Sequence, residues 1–589
     1  MRKFLNSLIK IVAYMAGGLV ILLAIAVGLF RLFLPRLPEY QDDIKEWASA
    51  AIGLSVEFSG MDARWGLSGP EIEFYDAELI SLDNQARIIA ADEVSVGVGL
   101  MRLLVEGKLM VERVAVRDTT LEVRQQVDGQ WWIQGRPINE LIPKRPGGTG
   151  NGVGGPSEIV GEDIRVQFLR SGDERPRVFR ISNFLFRRDD KRLSIEAEIE
   201  LPDDLGRHVT VSATQLLSQP EDERLWNVTV EIDDIELAGV TALQPKESAR
   251  FDSGNGDIDL SFAFANNSVQ SATADLDIDD ISIAGLSGLA IKGRLEFLYN
   301  KDGWLVAAND FSATTPAGKW PATDLRIETS TDSEGKIVML DARASYLNLA
   351  DVAMIEPWLD EQQRTLLAEF DPSGIVRNLA VTVGDIDSDA PDFNVSADFS
   401  DLGVAANGKR PGVRGFSGSV RADSSGGRLE IRTDNLVVTA PGILGQSLAL
   451  DTASGTVIWR RSNDRTTVLS DSIIIRNEFF ESETSVEVLL PDGGGAPIVD
   501  LDSTFSVSDI AAARRFVPFM PKRPKMSQWF QEGLVSGRIS RGTVHLHGPM
   551  DKFPFDGGEG RLYIEANVRD AVIIYQPKWP AANVIDANI

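Results

Sequence analysis

Two rhythms of apolar and polar positions run through this chain. From Ile11 to Phe30 no charge interrupts an apolar stretch of about twenty residues, long enough to cross a bilayer as a helix. Pro38 to Ile52 then sets Ile44, Trp47, Ala48, Ala51 and Ile52 at helical spacing, which predicts a short amphipathic helix within residues 35–53. Beyond residue 54 the period drops to two. Val94, Val96 and Val98 alternate with Ser95 and Gly97, and Leu193, Ile195, Ala197 and Ile199 alternate with Ser194, Glu196 and Glu198. Val228 and Val230 repeat the pattern, as do Leu260, Phe262 and Phe264, then Leu276 and Ile278. Farther on come Val395 and Phe399, Val486 and Val488, and Leu562 and Ile564. Such alternation marks strands with one dry and one wet face, and sheets of that kind are usually antiparallel.

Punctuation agrees with this reading. Asp128-Gly129, Asn255-Gly256, Asp302-Gly303, Glu334-Gly335 and Asn407-Gly408 are hairpin-turn signals. Pro146 to Pro156 is a glycine-rich loop without periodicity. Two helical interruptions are expected, near 348–370 with a break at Pro357, and near 508–530 with Ser508 as the N-cap. The fold expected is therefore mostly all-β. A transmembrane helix over 11–34 would follow a cytoplasmic N-terminus, 1–10, and precede a β body over 54–589. Arg2, Lys3 and Lys10 before the apolar stretch favour that orientation. Ala24-Ile-Ala26 matches a signal-cleavage site by letter, but the apolar run continues to Phe30, which favours an uncleaved anchor.

Charge then narrows the partners. The chain carries 59 Lys and Arg against 87 Asp and Glu, a net charge of −28, which repels phosphate backbones and argues against nucleic acid. With no cysteine, disulfides, thiolate metal sites and cysteine nucleophiles are excluded. Gly150-Asn-Gly152-Val-Gly154-Gly155 spells a dinucleotide fingerprint, but it follows no strand and runs into Pro156. His545 and His547 share a strand face, yet the third histidine, His208, is remote in sequence, too few ligands for a metal. Asp275, Asp277 and Asp279 resemble the start of a calcium loop, but Asp280 and Leu286 stand where it needs Gly and Glu. These acids, like Glu231, Asp233 and Asp234, read as the solvated side of strands. No nucleophile elbow, P-loop or zinc-protease helix occurs, so no catalytic residue, cofactor or metal is expected. From periodicity alone the apolar stripe reads first as an ordinary packed core between two sheets, with an open groove as the alternative.

Three passages bear on that choice. Arg31-Leu-Phe-Leu-Pro35 followed by Phe58 to Leu79, Trp304 to Phe311 continuing into Trp320 to Ile327, and Trp529 to Pro554 each resemble AsmA-like envelope proteins of the YhdP type. The likeness runs along the whole chain, and none of its motifs is catalytic. The resemblance implies a single-pass inner-membrane protein of a Gram-negative bacterium with a periplasmic body. That body would be an elongated, twisted, taco-shaped antiparallel sheet with a few short helices. Its apolar concave groove would carry phospholipids toward the outer membrane, supporting the integrity of that membrane. The alternating residues named above would then line the groove. Relatives of this type continue past the position of Ile589, which implies that a C-terminal part is missing here. The alternative is an envelope scaffold that binds outer-membrane or periplasmic proteins by edge-strand pairing, as the related TamB branch suggests. An outer-membrane barrel fits poorly with a helical anchor, and a hydrolase has no candidate residue.

Overall fold

The computed structural model describes Gly28 and residues 39–588 except 53–54, 66–68, 81–86, 100–110, 127–129, 138–155, 171–174, 219, 221–223, 244–249, 266–267, 387, 389, 409, 442–445, 463, 515–523 and 577–578. The predicted membrane helix (Gly28 apart), the Asp128-Gly129 turn and the glycine-rich loop up to Gly155 lie outside the described residues. Among the described residues no helix is long and apolar enough to cross a membrane. Strands dominate, and the chain forms two compact units, residues 1–246 with 253–278, and residues 247–252 with 279–589. Five α-helices accompany the described strands: α1 (Gln41–Ile52), α2 (Leu237–Ala242), α3 (Glu361–Phe370), α4 (Ile510–Ala513) and α5 (Pro524–Glu532).

The first unit begins with a closed core. Phe58, Phe74, Val94, Val96, Val114 and Val116 are buried together, Ile44 of α1 packs on them, and the rings of Phe58 and Phe74 stand 4.7 Å apart. Lys45 ties α1 to the first strand through Glu57 at 2.8 Å. Among the described residues the ladders of this unit are antiparallel with one exception. Val111–Gln125 and Glu158–Arg170 run parallel, Val114 opposite Ile159 and Val123 opposite Phe168. A parallel pair needs a connection of a dozen or more residues, and residues 126–157 separate these strands in sequence. From there the strands up to Phe251–Ala265 pair as antiparallel neighbours.

The second unit is an antiparallel meander in which each long strand pairs with the next, from Leu286–Asn300 to Ala582–Asn588. Among the described residues, helical segments interrupt it at three places, the last a single 3-10 turn, Met550–Lys552. Leu349–Trp358 is a 3-10 stretch capped by Asn348, and α3 follows with a capping box between Asp360 and Gln363. The N-cap of α4 is Asp509, whose carboxylate accepts from the amides of Ala511 and Ala512. Ser508, the cap expected from sequence, instead donates its backbone N–H to Phe479 O and stays with the strand.

A recurrent bulge breaks the ladders in both units. Asp76, Asp118, Asp163 and Asp234 in the first, and Asp310, Asn378, Asp401, Asn435 and Asp570 in the second, sit at positive φ near 50°. The register slips at the second unit's positions and at Asp234, as between Ile232 and Ile235 and between Ala308 and Phe311, whereas the pairings across Asp76, Asp118 and Asp163 keep their count. An inserted left-handed residue bends the strand, and Asp and Asn tolerate that conformation best after glycine. The next side chain is driven inward: Ala77, Thr119, Ile164, Ile235, Leu436 and Ala571 are all buried. The amide freed from the ladder is taken by a side chain of the following strand. Asp234 donates to Asp257, Asp401 to the Ser417 hydroxyl and Asp570 to Asp586, at 2.9 to 3.0 Å. The acidic run ending at Asp234 is thus partly a backbone device and only partly a wetted face. Asn255-Gly256 likewise is no turn. It lies inside Phe251–Ala265, where a Cβ on Gly256 would fall 2.0 Å from Asp277 O, so glycine answers a close strand approach.

Candidate functional site

Directly opposed residues of an antiparallel pair share a face, so register shows which apolar side chains stand together. In the first unit Ile195 lies opposite Phe186 on one side and Ala213 on the other. Ala213 lies opposite Val228, and Val228 opposite Phe262. A second row joins Ile199 to Val209, Ile232 and Ile258, and between the two Val211, Val230 and Leu260 line up. Leu193 meets Gln215, Trp226 and Phe264. The reverse face carries Glu196, Glu198, Thr210, Ser212, Glu231 and Asp259. Leu193, Ile195, Ile199, Val228, Val230, Leu260, Phe262 and Phe264 are each partly open to solvent. Val94, Val96 and Val98 differ. The first two are 0% exposed inside the closed core, and Val98 is buried. On the neighbouring strand Leu276 is half-buried and Ile278 buried.

In the second unit the same logic joins Val306, Ile327, Ala342, Val381, Val395 and Ala422 in one row. That row continues through Gly427, Trp459 and Val468 to Val488 and Val499. Val486 opens a parallel row through Leu501 and Leu546 to Leu562, and Ser503 another through Val544 to Ile564. Phe399 is buried beside them, its ring stacked 5.3 Å from Phe416. Burial on this face is graded along the strands. Near the bulges Leu436, Val568 and Ala571 are buried, whereas Val306, Phe393, Leu490, Leu562 and Ile564, toward the hairpin turns, are 37 to 51% exposed. Large apolar side chains so placed form an uncovered strip, and a contiguous strip marks an interaction surface.

Helices α4 and α5 cover one part of this face. Ile510 is buried against Val507, Val568 and Ala571, over Gly537, where a Cβ would approach Ile510 Cδ1 to 3.2 Å. The Trp529 indole N–H donates to Ile574 O at 3.0 Å and fastens α5 to the end of its strand. Between these helices and the sheet lies a cavity of about 560 Å³, within the roughly 300–1,000 Å³ typical of small-molecule sites. Leu450, Phe480, Phe505, Phe530, Val544 and Ile564 are among its lining residues, and Ser503 and Arg514 are its polar members. The Ser503 hydroxyl is engaged with Thr484 and with Glu483 O. Arg514 Nη1 donates to Leu534 O at 3.0 Å.

The histidines stand as solvated strand residues. His547 lies 3.2 Å from Asp500, and His545 pairs with Asp502, both on the exposed reverse face, and no metal-holding group occurs among the described residues. Register therefore brings together the predicted residues of each unit on one face, apart from the three enclosed valines and the Leu276 pair. Sequence reading missed the cavity, because Phe530 and Arg514 sit in a stretch legible only as an interruption of the strand rhythm.

A family model described as YhdP protein matches residues 1–589. The intermembrane phospholipid transporter YhdP of Escherichia coli (strain K12) is 22% identical over 613 aligned positions, covering 97% of this chain and 45% of that protein. The chain thus spans a little under half the length of the curated relative it matches. No solved structure matches it.

Proposed function

The chain belongs to the YhdP protein family, and from that premise we propose that it is a non-enzymatic carrier of phospholipids between the inner and outer membranes. Residues 11–34 anchor it in the inner membrane with the N-terminus cytoplasmic, and the β body is periplasmic. Acyl chains lie on the apolar face, with Ile195, Val228 and Phe262 in the first unit and Val395, Val488, Leu562 and Ile564 in the second. Headgroups stay in water at the margin. The observation that carries this reading is the strip of large apolar side chains left 37 to 51% exposed. In a packed core such residues are enclosed, as Phe74 and Val94 are in this same chain. The physical gain is plain, since each methylene held on the strip and not in water is worth about 0.8 kcal/mol. Val94, Val96 and Val98 form a closed end of the face and take no part in conduction.

A photo-reactive amino acid placed in turn at Phe262, Phe393 and Ile564 tests this. Ultraviolet irradiation in cells is expected to yield adducts with phospholipid, while the same probe at Glu196 or Asp500 on the reverse face yields none. Adducts with protein alone would favour a scaffold that binds envelope proteins. No lipid adduct at any apolar position would remove the proposal.

A further inference from the structure

The cavity under α4 and α5 poses a question that the open strip does not. Its lining is apolar apart from Ser503, whose hydroxyl is already engaged, and Arg514. Arg514 makes no ion pair among the described residues, although acids outnumber bases in this chain by 87 to 59. A half-buried guanidinium beside hydrocarbon is costly unless an anion meets it. One hydrogen bond to Leu534 O leaves most of its five N–H donors available. Apolar volume with one uncompensated cation at its side is complementary to hydrocarbon carrying one anionic group.

We propose that this cavity is a discrete station for one phospholipid, in which an acyl chain fills the space between Phe505, Phe530 and Ile564 and Arg514 holds the headgroup phosphate. This rests on the carrier reading above and adds to it a fixed stopping point with headgroup recognition. Planar guanidinium suits phosphate oxygens, which accept two parallel N–H bonds from it.

The test compares two lipids of identical acyl chains, phosphatidylglycerol and diacylglycerol, offered in detergent micelles to the purified full chain. The photo-reactive residue stands at Ile564 inside the cavity or at Phe393 outside it. At Ile564, phosphatidylglycerol is expected to be captured about tenfold better than diacylglycerol, the scale of one charge-assisted hydrogen-bonded contact. Arg514→Gln should remove that preference at Ile564 and leave capture at Phe393 unchanged, whereas Arg514→Lys should keep part of it. Equal capture of the two lipids at Ile564 by the unsubstituted chain would overturn the station, as would an unchanged preference in Arg514→Gln. Because the lipid comparison needs no change at Arg514, a misfolded variant does not spoil it. Loss of capture at both positions in the unsubstituted chain would instead sink the carrier reading and this inference together.

Discussion

At the scale of single residues, the left-handed Asp and Asn positions decide how each strand bends. Asp310 is the cleanest case, with φ +49° and its amide given to the Asp324 carboxylate at 3.2 Å. Opposite it, Gly293 leaves no Cβ where one would fall 2.7 Å from Phe311 Cα. A β-branched residue pays the left-handed penalty in full, so Asp310→Val should lower stability by about 1–2 kcal/mol, whereas Asp310→Gly should change it by less than about 0.5 kcal/mol. Denaturant midpoints of the two variants check this, and equal losses would mean that the side chain and not the backbone is what matters there. The same scale separates closed from open apolar positions. Phe74→Ala leaves a cavity in a sealed cluster and should cost about 3–5 kcal/mol. Leu562→Ala removes a side chain already 41% exposed and should cost under about 1 kcal/mol. Similar losses at both would argue that the strip is covered in solution.

At the scale of elements, hairpin tips are held by carboxylates. Asp189 accepts the amides of Lys191 and Arg192, and Asp332 those of Glu334 and Lys336, at 2.7 to 3.0 Å. Asp423 accepts from the Ser425 hydroxyl and amide and from the Gly426 amide. These bonds favour the charged form and hold all three carboxyls below the usual range. A carboxyl depressed by folding stabilises fully above its unfolded pKa of about 3.9 and loses that effect as pH falls through the lower folded value. Amide exchange at Lys191 and Lys336, corrected for intrinsic rates, should therefore lose protection progressively as pH falls below about 4. Asp332→Asn, which keeps an acceptor oxygen, should remove the dependence, and protection that is flat with pH would refute the mechanism. Much at this scale was legible beforehand. Period-two alternation located Leu193 to Ile199 or Val486 and Val488 because a strand has only two faces. The bulges were not legible, since Asp234 in a run of acids looks the same whether it meets water or turns the backbone. Nor was the parallel pair after Val111–Gln125, which depends on where a long connection returns. Groove and core share one alphabet, so the enclosure of Val94 and the openness of Ile564 had to come from packing.

At the scale of the whole molecule, the carrier reading proposed above requires the apolar face of each unit, taken by itself, to meet acyl chains. On that reading an obstacle on either face hinders the acyl chains that lie on it. A carboxylate set into the strip has to be desolvated by a passing chain, at a cost of several kcal/mol when nothing pairs with it, which at about 1.4 kcal/mol per factor of ten slows passage more than a hundredfold. Phe262→Asp in the first unit and Ile564→Asp in the second both fall on partly open positions, so neither should reduce the amount of folded protein. In a host strain depending on this chain for outer-membrane integrity, the carrier reading expects each substitution alone to raise sensitivity to large antibiotics toward that of a deletion. Unchanged sensitivity in either variant would remove that unit's face from the carrier reading. The corresponding change on the reverse face, Thr229→Asp, adds a charge where water already reaches and should leave sensitivity untouched, which separates a blocked face from a merely more acidic chain.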